Sequence, residues 1–70
     1  MDNVFLAVKT QHLTLEANAR FEAALGGLGA TFHYGSFDME HMIGVAAIEC
    51  APSVAEQVKA DTAEFVTYLN

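Results

Sequence analysis

Apolar and polar positions alternate with two different periods along the chain, and the change of period marks its elements. Residues 3–9 (NVFLAVK) are a short run of β-formers, which predicts a strand buried on at least one face. From Leu13 onward Ala17, Phe21, Ala24, Leu25 and Leu28 recur at helical spacing, while Glu16, Arg20 and Glu22 fall elsewhere, so an amphipathic helix follows. Thr14 is its expected N-cap, Glu16 and Arg20 stand four apart in the favourable order, and Gly26, Gly27 and Gly29 supply the stop. Residues 31–37 and 42–49 are two further β-like runs. The polar break Asp38-Met39-Glu40-His41 between them predicts an antiparallel hairpin. Pro52 ends the second of these strands, and Ser53-Val54-Ala55-Glu56 reads as a capping box opening a helix of two to three turns with Val54, Ala55 and Val58 inward. Residues 64–69 (EFVTYL) turn β-like again.

The order β-α-β-β-α-β is that of a ferredoxin-like α+β fold, and residues 1–70 form one domain without linker or repeat. Right-handed crossovers place both helices on one face of a four-stranded antiparallel sheet and leave the other face bare. In the first strand Phe5 and Ala7 are expected outward because Lys9 travels with them. Phe32 with Tyr34, and Val66 with Tyr68, are their expected companions on the bare face. Glu49 shares a side with Val45 and Ala47 in strict alternation, which a bulge near Ile48 or Cys50 would relieve.

Composition narrows what such a face could meet. Seventy residues bury a thin core, and an apolar fraction of 53% leaves apolar surface over for a partner. Nine acids against three bases give a formal charge of −6, so nucleic acid and anionic membrane surfaces are excluded as partners. The opening residues lack a signal-peptide pattern and no apolar run approaches a bilayer span, from which a cytoplasmic location is expected.

The stretch FHYGSFDMEHM gathers His33, Asp38, Met39, Glu40, His41 and Met42, all potential metal ligands. With the turn centred on Met39-Glu40, Asp38 faces His41 and His33 faces Ala46. The two histidines then lie about 16 Å apart at roughly 3.3 Å per residue, too far to share an ion. His12 precedes the first helix and adds only a weak third ligand. Cys50, at a strand end before Pro52, has no base near it in sequence and reads as a small buried apolar residue. The acids of the Asp38/Glu40 and Asp61/Glu64 pairs sit in turns, where solvated carboxylates are ordinary. The glycines of GGLG follow a helix, whereas a phosphate cradle precedes one. No residue set supports an enzyme, and no cofactor or metal is expected.

The order of features resembles the subtilisin-propeptide family of the inhibitor I9 type, over almost the whole chain. The resemblance rests on the opening strand NVFLAVK, the helix stop ALGGLGA, the strand FHYGSFD with its aromatics before the turn, the small-residue run Gly44-Val45-Ala46-Ala47, the proline-led helix APSVAEQVKAD and the closing strand EFVTYL. It implies a non-catalytic domain whose helix-free sheet face packs on a subtilisin-like serine protease, as inhibitor or as folding chaperone. A C-terminal tail would lie in the protease cleft. Phe5, Ala7, Phe32, Tyr34, Val66, Tyr68, Leu69 and Asn70 are the expected interface. Where the family carries acids at the end of the last strand this chain has Thr67-Tyr68-Leu69-Asn70, and these residues would have to leave the sheet edge to enter such a cleft. The alternative is a ferredoxin-like homodimer or another protein-interaction module that uses the same face without a protease.

Overall fold

The computed structural model describes residues 2–41 and 43–69. Its elements run β1 (Val4–Gln11), α1 (Leu15–Gly27), β2 (Thr31–Asp38), β3 (Ile43–Cys50), a 3-10 turn (Pro52–Val54), α2 (Ala55–Thr62) and β4 (Val66–Tyr68). The four strands form one sheet in the order β2-β3-β1-β4 with every neighbouring pair antiparallel, which is the ferredoxin-like arrangement. No described helix is long and apolar enough to cross a membrane.

Local chemistry accounts for the ends of α1. The Thr14 hydroxyl accepts from the Ala17 amide at 3.1 Å, filling one of the unpaired donors of the first turn. At the other end Gly29 takes φ +66°, which lets the Ala30 amide donate to Leu25 and the Gly29 amide to Gly26, the paired bonds of a Schellman stop. Arg20 does not pair with Glu16. Its guanidinium meets the Glu64 carboxylate at 3.5 Å and lies 5.4 Å from the centre of the Phe65 ring, so it ties α1 to the segment before β4.

The start of α2 differs from the expected capping box. Pro52, with its preset φ, opens the 3-10 turn, so Ser53 falls inside that turn instead of ahead of the helix. No side chain caps α2. β4 is also shorter than the apolar run that predicts it: the Phe65 amide donates to the Thr62 carbonyl at 2.9 Å, which keeps Phe65 in a turn and its ring in the core.

Phe21 and Leu25 of α1, Val58 of α2, Val8, Ala46, Ile48, Cys50 and Val66 of the sheet, and Phe65 make one buried cluster. Side chains of both helices meet sheet residues of a single parity, so both helices cover the same face. Thr62 is the one polar member of the buried interior among the described residues. Its hydroxyl donates to the Val58 carbonyl at 2.6 Å and accepts from the Tyr68 hydroxyl at 2.6 Å.

Register settles which side chains share that face. Val8 pairs with Ala46 and Tyr68, Thr10 with Val66, Ile48 with Phe32, and Ala46 with Tyr34. Directly paired residues point to one side of a sheet. Phe32, Tyr34, Val66 and Tyr68 therefore lie on the helix side, not on the bare face where the alternation of β2 and β4 was expected to put them. The parity of an edge strand depends on its pairing, and nothing inside β2 or β4 plays the part that Lys9 plays in β1.

The hairpin register also departs from a turn centred on Met39-Glu40. The hairpin closes on the pair Asp38–Ile43 instead of Asp38–His41, and a bulge between Tyr34 and Ser36 then slips β2 by one residue, so that His33 pairs with Ala47. No bulge occurs at Ile48 or Cys50.

Candidate functional site

Two surfaces concentrate the exposed apolar and ionisable groups, one on each side of the sheet. On the helix-free face the direct cross-strand pair Ala7 and Ala47 makes a shallow floor. Exposed Phe5 and Val45 stand on either side along the strands, and the Leu69 amide donates to the Ala7 carbonyl at 3.1 Å, which keeps the chain on the sheet edge past β4. Of the expected interface residues, this face holds Phe5, Ala7 and, beside Ala7, Leu69. Asn70 lies outside the described residues.

Glu49 stays on this face because it is satisfied there. Its carboxylate accepts from the Asn3 amide group at 3.0 Å and lies 2.8 Å from Nε2 of His33, whose ring sits 5.7 Å from that of Phe5. The hydrogen bond from Asn3, then that of His33, holds the Glu49 carboxyl below the usual carboxylate range. A carboxyl with a depressed folded-state pKa contributes stability that is present above the unfolded-state pKa and is lost as pH falls through the folded value. Urea unfolding between neutral pH and pH about 3 is accordingly expected to show a smaller acid-side loss of stability in Glu49→Gln than in the parent. Superimposable pH profiles would show that the Asn3 and His33 contacts contribute nothing.

The hairpin loop brings Asp38, Glu40 and His41 together, with one potential ligand atom of each within 4.8 Å of the others, all three residues exposed. The Asp38 carboxylate is already engaged. One oxygen accepts from the amides of Glu40 and His41 at 3.0 and 3.3 Å, and the other lies 2.7 Å from Nδ1 of His41. These bonds, the His41 side chain first, lower the Asp38 pKa. The arrangement is an Asx-type clasp that closes the loop. His33 stands apart from it on the helix-free face, and Met42 lies outside the described residues. Cys50 is buried, and burial pushes its thiol pKa up, which suits a core residue and not a nucleophile.

On the helix side, a cleft of about 470 Å³ opens between α1 and the end of the sheet formed by the last residues of β1 and the first of β3. Asn18, Phe21, Glu22 and Leu25, one face of α1, form one wall. Phe32, Tyr34 and Phe37 of β2 form the other. The bulge at Gly35 makes this wall: it reverses the parity of β2, so that Phe37 comes to the same side as Phe32 and Tyr34. Burial also raises the pKa of Tyr68, at the far end of the same sheet face, against the opposing hydrogen bond with Thr62.

The sheet, its register and its two unequal faces define an α+β ferredoxin-like domain. No family model, no curated protein and no solved structure matches the chain.

Proposed function

We propose that this domain is a non-catalytic protein-binding module that docks through its helix-free sheet face, with a subtilisin-like serine protease as the partner that its resemblance to the I9 propeptides implies. The observation that supports this reading is the make-up of the face. Two alanines lie side by side at its centre, flanked by Phe5 at 61% and Val45 at 47% exposure. The described ionic groups around them are Glu49, hydrogen-bonded by Asn3 and His33, and exposed Lys9 opposite Val45. A shallow apolar floor whose acid is already hydrogen-bonded can accept a convex protein surface, with Lys9 at its rim left to meet solvent or an acid of the partner.

The reading predicts that the purified chain slows a subtilisin-type protease at micromolar concentration, or accelerates its refolding. Phe5→Glu is expected to weaken that effect about tenfold or more, in the range of an anchoring aromatic at an interface. Phe5 is exposed, so this variant keeps its fold. No effect on protease activity or refolding sinks the proposal. A dimer seen by light scattering that Phe5→Glu dissociates would assign the same face to self-association.

A further inference from the structure

We infer that the cleft between α1 and the β2–β3 hairpin is a binding site for a small organic cation with an apolar body, such as an aryl or alkyl ammonium compound. The cleft opens on the helix side of the sheet, and of the docking-face residues named above Val45 alone also reaches its lining. Its volume of about 470 Å³ falls within the range of small-molecule sites, which is roughly 300–1,000 Å³.

Aromatic rings dominate the lining. Phe21, Phe32, Tyr34, Phe37 and Phe65 line it, out of five phenylalanines and two tyrosines in the chain. Four of them form a continuous series. Phe65 and Phe21 have ring centres 5.4 Å apart, Phe21 and Phe32 meet edge to face at 5.5 Å, and Phe32 and Tyr34 meet edge to face at 4.8 Å. Tyr34 ends the series at 88% exposure. Its ring is not consumed by the core, so its negative π face is open to an incoming group.

The ionisable groups of the lining decide the sign of the charge. Apart from the Tyr34 phenol they are His12 and Glu22. Glu22 is exposed and takes part in none of the ion pairs among the described residues; its carboxylate only accepts from the Asn18 amide group at 3.4 Å. A carboxylate beside open aromatic faces favours a cation over a neutral or anionic molecule of the same shape, and a formal charge of −6 on the whole chain adds to that preference. Thr10 and Asn18 leave a hydroxyl and an amide group on the lining to orient a polar substituent.

The test is an amide NMR titration of the intact chain with benzyltrimethylammonium, benzyl alcohol and benzoate at fixed ionic strength. Shifts confined to the cleft, around Asn18, Glu22 and residues 35–37, are expected for the ammonium compound, which should bind about tenfold more tightly than the alcohol. Tyr34→Ala and Glu22→Gln, both at exposed positions, should each remove much of that advantage while leaving the fold intact. Alcohol or benzoate binding as tightly as the cation would overturn the assignment, as would shifts spread over the acidic surface or no localised shift at all. Phe5→Glu, on the opposite face and outside the cleft lining, should leave the titration unchanged, so a failure of the docking reading and a failure of this one are separable.

Discussion

Ile48→Ala is expected to take away most of the stability of this domain. Ile48 is fully buried in β3, one of the two central strands, and pairs with Leu6 on one side and Phe32 on the other. Truncating a buried isoleucine costs about 2–5 kcal/mol, the transfer of the lost methyl groups plus the cavity left behind. A 70-residue domain at roughly 0.05–0.15 kcal/mol per residue has only about 4–10 kcal/mol in total. The site cannot collapse easily, because β1 and β2 hold β3 from both edges. Urea unfolding followed by circular dichroism should show the midpoint displaced far toward zero denaturant. Ile48→Val, which keeps the branch and loses one methyl, should cost about 0.5–1.5 kcal/mol and remain folded. A loss below about 1 kcal/mol in the alanine variant would mean that the core is not centred where burial places it.

The elements of this fold are legible in the sequence wherever a periodic pattern carries its own punctuation. Thr14 ahead of the Ala17-Phe21-Leu25 stripe and Gly29 behind it mark both ends of α1, and both marks act in the structure through named hydrogen bonds. The outward set Phe5 and Ala7 is legible for a similar reason, since Lys9 shares their parity and a lysine rarely points into a core.

The side chains that line the cleft were not legible, and the cause is local. Strict alternation sends Phe32 and Tyr34 one way and Phe37 the other. The bulge at Gly35 brings all three to one side, and whether a strand glycine bulges depends on the partner strand that it faces. The same slip moves His33 opposite Ala47, within reach of Glu49, so the irregularity expected in β3 is settled instead by a change in β2. Burial of Phe65 in a turn escaped the pattern as well, because an apolar run reads alike whether its first residue starts a strand or plugs the core before it. The two ends of the helix-side face differ for one physical reason. The helices cover the half of the sheet where Val8, Ile48 and Cys50 lie, while the hairpin end carries Tyr34 and Phe37 to the surface.

Gly35→Ala should therefore act on stability and on the cleft together. A Cβ built on Gly35 would run into the carbonyl oxygen of Val45, with the Val45 carbonyl carbon 3.0 Å away. The obstacle is backbone, and it cannot swing aside as a side-chain tip would. Val45 belongs to β3, which is paired with Lys9 of β1 on its other edge. Relief must come from β2, by opening the bulge or by lifting the edge strand away. Such overpacking costs about 1–3 kcal/mol. Lifting β2 would also separate Phe37 from Gly44, its partner across the hairpin, whose own missing side chain leaves room for the Phe37 ring. The expected outcome is a lower urea midpoint, weakened nuclear Overhauser contacts between the Phe37 ring and Gly44, and loss of the cleft's ammonium binding, with the packing of Val58 and Leu25 unchanged. An alanine variant with parental stability and intact Phe37 contacts would show that the strand can carry a side chain at the bulge, and that the parity of β2 is set by the loop residues and not by this glycine.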